Sequence, residues 1–252
     1  MGKQARNQSR ALRQARAAAQ ARARRRNRLL AAGGGLVIVG LVVAIVVTLV
    51  NAGGRSDVAD PGKPVVAPAG ATANGALMIG QASAPVRLEV FLDYMCPFCG
   101  RFERTNGADV ERLVADGTVR LELYPLSFLD RTSAGTRYST RAANAVATVA
   151  DRAPDRLLAF HTALFANQPE EGSRGPSDDE IGDLARRAGV PEDVVVTFTE
   201  GTFEPWIVKF TEAAFASGIS ATPTVRINGS VFAGDLYTAG ALTKAVAAAT
   251  GR

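Results

Sequence analysis

Thiol and imidazole chemistry are both scarce in this 252-residue chain, which has two cysteines and one histidine. A structural zinc site takes four ligands, so Cys96 and Cys99 with a lone His161 do not supply one. The single histidine also excludes multi-histidine metal centres. There is no phosphate-binding loop, dinucleotide fingerprint or internal repeat. Acidic residues are missing from positions 1–28, which hold ten of the chain's 29 Lys and Arg: Lys3, Arg6, Arg10, Arg13, Arg16, Arg22, Arg24, Arg25, Arg26 and Arg28. The 19 basic residues that remain face 24 acidic ones, so the rest of the chain carries −5 and the basic balance belongs to the tail. Charge of either sign is missing from Leu29 to Val50, 22 residues rich in Val, Leu, Ile and Gly.

Such a run is long enough to cross a hydrocarbon core of about 30 Å as one helix. Dense positive charge before it places residues 1–28 in the cytoplasm and everything downstream outside. A cleaved signal peptide has an apolar core of roughly 7–15 residues. Val50-Asn51-Ala52 is a passable cleavage site, but this core is too long, and the segment reads as a signal-anchor. Topology and anionic lipid headgroups account for the basic flank, with no need for nucleic acid. Residues 51–74 are rich in Gly, Pro, Ala and Val and predict a flexible linker, extended around Pro61, Pro64 and Pro68. It is expected to hold residues 75–252 off the membrane without packing on them.

From Gly75 the pattern alternates between elements. Leu77–Ile79 reads as a short edge strand, and the near-continuous apolar run in 85–94 as a buried central one. Residues 101–115 read as helix, and 118–124 alternate as a second core strand. A helical block of about 130–218 follows, without a convincing strand. Within it Ser177-Asp178-Asp179-Glu180 is a capping box, and Trp206 with its neighbouring phenylalanines is most simply core. Asn228-Gly229 between Thr224–Ile227 and Val231–Ala233 predicts a hairpin with a type I′ turn. A terminal helix, 238–249, is expected to be capped by Thr238.

Cys96-Pro97-Phe98-Cys99 stands where the central strand meets the next helix. A sulfur at that place lies near the unpaired N–H groups of the first turn, which favour a thiolate. Cys96 is therefore the candidate nucleophile with a lowered pKa, and Cys99, one turn in, the resolving thiol. Pro97 suits the first turn because it has no N–H to lose. Phe98, unlike a histidine, cannot stabilise the thiolate by charge. A static disulfide over so short a loop would constrain little chain. Two thiolates could alternatively hold Cu(I) or act as a redox sensor, but apart from Met95 no His or Met adjoins them in sequence as a copper carrier would need. His161, on an apolar face with Phe160, Leu164 and Phe165, reads as a satisfied core histidine.

The order β-α-β, helical block, β-β-α gives an α/β fold with a mixed sheet, and with Cys-x-x-Cys after a strand it is thioredoxin-like. The segments 91–103, 160–165 and 218–224, ahead of Ile227-Asn228-Gly229, resemble the DsbA-like branch of the thioredoxin superfamily, in particular its membrane-anchored extracytoplasmic bacterial members. The resemblance covers about Gly75 to the C-terminus. It implies that Pro223 is a cis-proline facing the sulfurs, that the Thr222 backbone pairs with an extended substrate, and that Pro97 and Phe98 lie against that substrate. Related proteins often place a buried carboxylate six positions before the first cysteine, where this chain has Val90. Glu89, which alternation points to the opposite face, and Asp93 are the remaining candidates for a proton relay. The implied activity is a membrane-tethered thiol:disulfide oxidoreductase without cofactor or metal. It would oxidise unfolded or reduced exported proteins and be reoxidised by a membrane partner. Thr222 leaves isomerase or reductase directions open.

Overall fold

The computed structural model describes residues 64–251. The basic tail and the expected membrane span lie outside them; among the described residues no helix is long and apolar enough to cross a membrane.

Five strands, β1 (Leu77–Ile79), β2 (Val86–Leu92), β3 (Val119–Pro125), β4 (Thr224–Ile227) and β5 (Ser230–Val231), form one sheet in the order β1-β3-β2-β4-β5. β2 and β3 run parallel, with Val86 opposite Val119 and Leu92 opposite Pro125, while the other pairings are antiparallel. The central place of β2 explains its run of apolar residues, since both of its faces are covered. Val86, Leu88, Val90 and Leu92 join the larger core with the cysteines and Phe102. Phe91 instead joins Tyr124, Leu126, Ala214 and Ile219 in a second cluster, against which Phe210 and Phe128 pack.

Helix α1 (Pro97–Ala115) makes the crossover from β2 to β3. The helical block comprises α2 (Tyr138–Arg152), α3 (Leu157–Ala166), α4 (Asp178–Arg187), α5 (Glu192–Val195) and α6 (Glu204–Ala216). α2 is its hub and packs against the other four. Small side chains let those neighbours approach from all sides, and every residue from Tyr138 to Ala150 except Arg141 is buried. Such a helix needs no polar stripe because it meets little water. The Ser177 hydroxyl accepts the Glu180 N–H at 3.3 Å and Glu180 returns a carboxylate to the Ser177 N–H at 2.8 Å, completing the expected box.

Asn228 and Gly229 both take positive φ, 50° and 86°, as a type I′ turn requires. The second hairpin strand is shorter than expected, ending at Val231, although the Phe232 N–H still donates to Val225 O at 2.9 Å. The terminal helix α7 (Ala241–Thr250) also begins later than predicted. Thr238 does not cap it, because its hydroxyl donates to Asp235 at 2.7 Å.

The end of the expected linker is part of the folded unit. Pro68 is buried, the Ala69 N–H donates to Asp151 at 2.6 Å, and Ala71 bridges to Leu77. A turn closed by Thr72 and Ala76 brings this segment back along β1, and Gly75, at φ 81°, is the residue that permits the reversal.

Candidate active site

The strand β2 ends at Leu92, and a tight turn delivers the chain to α1. The Cys96 N–H donates to Asp93 O at 3.0 Å, and the Cys96 carbonyl accepts the Gly100 N–H at 3.1 Å as the helix begins. Cys96 is thus the N-cap residue, at φ −70° and ψ 117°, with Pro97 first in the helix. No polar side chain caps this end, which leaves the first-turn donors to the sulfur.

Both thiols are free. Cys96 retains 5% of its exposure and Cys99 1%. The Cys96 thiol donates to the Thr222 carbonyl at 3.3 Å, and the Thr222–Pro223 bond is cis. Sequence positions 126 residues apart therefore meet at one sulfur. The hydrogen bond offered by Cys99 lowers the Cys96 pKa to about 6 against the opposing effect of burial; the Thr222 side chain and the N–H groups of Cys99 and Phe98 add to the lowering. Burial, followed by the proton that Cys99 shares with Cys96, pushes the Cys99 thiol well above its ordinary range. The pair is consequently asymmetric: one sulfur favours the anion and its neighbour keeps a proton.

Asp93 and Glu89, the two candidate relay carboxylates, part company. Asp93 is fully buried beside the pair: its backbone meets Cys99. Its carboxylate accepts Met95 N–H at 2.8 Å, the Ser139 hydroxyl at 2.7 Å and Leu129 N–H at 2.9 Å. Burial nevertheless raises its pKa to about 7. Glu89 lies on the far face of the sheet with Arg87 at 3.6 Å, its strand neighbours being Glu122 and Arg226. The structure does not bring it to the sulfurs. Val90, six positions before Cys96, is buried in the same core as Cys96, Cys99 and Phe102.

Phe98 is 57% exposed on the first turn of α1, 6.3 Å from the Tyr237 ring, and the Arg101 guanidinium sits 4.5 Å above that ring. Trp206 is buried and stacks on Phe210 at 5.7 Å. His161 is buried and engaged on both ring nitrogens, with the Tyr94 hydroxyl 3.0 Å from Nδ1 and Glu103 3.2 Å from Nε2. Among the described residues, no three or more His, Cys, Asp or Glu side chains gather where they could hold a metal ion.

Sequence reasoning missed Ser139 and Gln168, which bind the turn, and Tyr94 and Glu103, which tie the turn and α1 to His161. Gly100 was the available signal for Gln168. A glycine inside a helix costs about 1 kcal/mol against alanine and often marks a close approach. A Cβ at Gly100 would come 2.7 Å from Gln168 Cδ.

A family model described as Thioredoxin matches residues 72–247. The serine/threonine-protein kinase PknE of Mycobacterium tuberculosis is 33% identical over 132 residues, 51% of this chain and 23% of the kinase. The chain thus spans about a quarter of that relative's length. Disulfide bond formation protein D of Bacillus subtilis is 28% identical over 160 residues, 62% of this chain and 69% of that protein. Two solved structures from Mycobacterium tuberculosis are similar over 70% of this chain. Reduced DsbG, a disulfide bond oxidoreductase, is 31% identical with a TM-score of 0.62 over 88% of its length. Oxidised DsbA is 30% identical, also with a TM-score of 0.62, over 93% of its length.

Proposed function

The chain belongs to the thioredoxin family, in its DsbA-like branch, and from that premise we propose that it is a membrane-tethered thiol:disulfide oxidoreductase that oxidises exported proteins. The observation that carries this reading is the asymmetry of the sulfurs at the start of α1, with Cys96 lowered to about 6 and Cys99 raised. In the oxidised protein a substrate thiolate attacks Cys96 Sγ. The Cys96–Cys99 bond breaks and Cys99 leaves, taking up a proton. A second substrate thiolate then attacks the substrate sulfur of the mixed disulfide, a substrate disulfide forms, and Cys96 leaves as a thiolate. Two electrons have passed to the cysteine pair, and a membrane redox partner removes them.

Stabilising Cys96 as an anion stabilises the reduced protein, which makes the pair a better oxidant. An oxidising compartment outside the membrane agrees with that direction, and the apolar run 29–50 supplies the tether. The Thr222 backbone beside the cis bond would receive the substrate as an added strand, with Pro97 and Phe98 alongside. Asp93, whose backbone meets Cys99, is the candidate relay for its proton.

Replacing Cys96 by Ser is expected to abolish disulfide transfer to a reduced model protein while the circular dichroism spectrum and melting midpoint stay those of the parent. Unchanged transfer would overturn the reading. A reduction potential nearer about −120 mV supports the oxidase, and one nearer about −270 mV a reductase or an isomerase kept reduced by another donor.

A further inference from the structure

Gln168, just past the end of α3, reaches from the helical block to the turn that carries the cysteines. Its Nε2 donates to the Tyr94 carbonyl at 3.2 Å and to the Cys96 carbonyl at 2.8 Å. The second acceptor is the one that opens α1, already holding the Gly100 N–H. Tyr94 is fully buried, so water cannot replace the amide at its carbonyl. On its other side the amide presses on α1 at Gly100, where a Cβ would lie 2.7 Å from Cδ and closer still to Oε1. Gly100 is helical rather than at positive φ, so backbone conformation does not call for a glycine there, whereas the close approach does.

We propose that Gln168 is a positioning residue for Cys96, fixing the peptide that caps α1 so that the sulfur faces the Thr222 carbonyl and the first free N–H groups of the helix. The role rests on the disulfide-exchange reading above and deepens it. Pro97 has no N–H, so the nearest backbone donors to the sulfur are Phe98 and Cys99, which act on it already. They reach it only while the Cys96–Pro97 peptide keeps its orientation, and that peptide's oxygen is what Gln168 holds. The amide protons also offset the negative ends of two carbonyl dipoles next to an atom that must bear charge. Gln168 itself is neutral and adds no titration of its own.

The test uses the purified full-length chain, reduced, with Gln168→Met, which keeps the length of the side chain and removes its N–H groups. The measured quantities are the pH midpoint of Cys96 alkylation by iodoacetamide and the ultraviolet absorbance of the thiolate. Loss of one neutral hydrogen bond's worth of anion stabilisation is expected to raise the midpoint by about half a pH unit, roughly a threefold loss of thiolate below it. Gly100→Ala is expected to move the midpoint the same way by displacing the amide, and to add nothing in a Gln168→Ala background. Unmoved midpoints, or a Gly100→Ala effect of equal size in both backgrounds, would overturn the role. Failure of the parent chain to exchange disulfides at all would instead sink the oxidoreductase reading on which it rests.

Discussion

Asp93→Asn tests the electrostatics of the site most directly. The carboxylate is fully buried with three donors and only another acid, Asp130, acting on it by charge among the described residues, and its pKa rises from 3.8 to about 7. A carboxyl raised in the folded state binds its proton more tightly there than in the unfolded chain. Stability from this group is therefore full below pH 4 and declines as pH climbs toward 7, after which the loss is constant. Between pH 5 and pH 8 the linkage amounts to about 2–3 kcal/mol, at about 1.4 kcal/mol per pH unit. Asparagine cannot ionise, but its Nδ2 would face the Leu129 N–H, at a cost of about 1–3 kcal/mol at every pH. The variant is thus expected to be less stable than the parent at pH 5 and to recover by about 2–3 kcal/mol relative to it at pH 8. Urea denaturation of both proteins at the two pH values, with the cysteines kept reduced, measures the difference, and the titration of Cys96, common to both proteins, largely cancels. A variant-to-parent gap that stays constant within about 0.5 kcal/mol would show that Asp93 titrates near its ordinary value and refute the argument.

Other outcomes follow from packing and from the thiol pair. Alkylation of reduced Cys96 should rise through a midpoint near pH 6, where an ordinary thiol would respond near 9; a profile near 9 would contradict the geometry described. Asn144→Ala should cost about 2–4 kcal/mol in denaturant titrations, because the buried amide donates to Phe198 O and accepts the Phe203 N–H, each at 2.9 Å. Gly75→Ala should cost about 1–3 kcal/mol, since φ is 81° and a Cβ would run into the Phe210 ring; a melting point equal to that of the parent would remove this turn from the account.

What the sequence made legible is mostly what repeats locally. β2 showed itself as an apolar run, the hairpin through Asn228-Gly229, and α4 through its capping box, because each signal lies within a few residues of its effect. The place of Cys96 at a helix start was equally local. Ends were harder: Thr238 was a good cap by type, yet Asp235 competed for its hydroxyl. The residues 68–74 looked like linker because they are Pro, Gly, Thr, Asn and three Ala, whereas a long-range bond to Asp151 decides their fate. The cis isomer at Thr222–Pro223 was legible only through the family resemblance, as no local signal distinguishes it from a trans proline opening a strand.

The same distinction between local and distant causes explains why the supporting residues of the site went unseen. Ser139 from α2, His161 from α3 and Gln168 beyond α3 all come from the helical block, and each binds the five-residue turn Asp93–Pro97. Ser139 and Gln168 are unremarkable polar residues in sequence, His161 stood out there only as a core histidine, and all three find their partners on the turn more than 40 positions away. A thioredoxin-type sheet with α1 supplies the two sulfurs and the helix end. The block supplies the hydroxyl on Asp93, the imidazole on Tyr94 and the amide on the cap of α1, so the turn is held from outside as well as by its own backbone. Loosening the block should therefore change the chemistry of Cys96 before it unfolds the sheet: a substitution in the block that spares the sheet's contacts should move the alkylation midpoint more than the melting temperature.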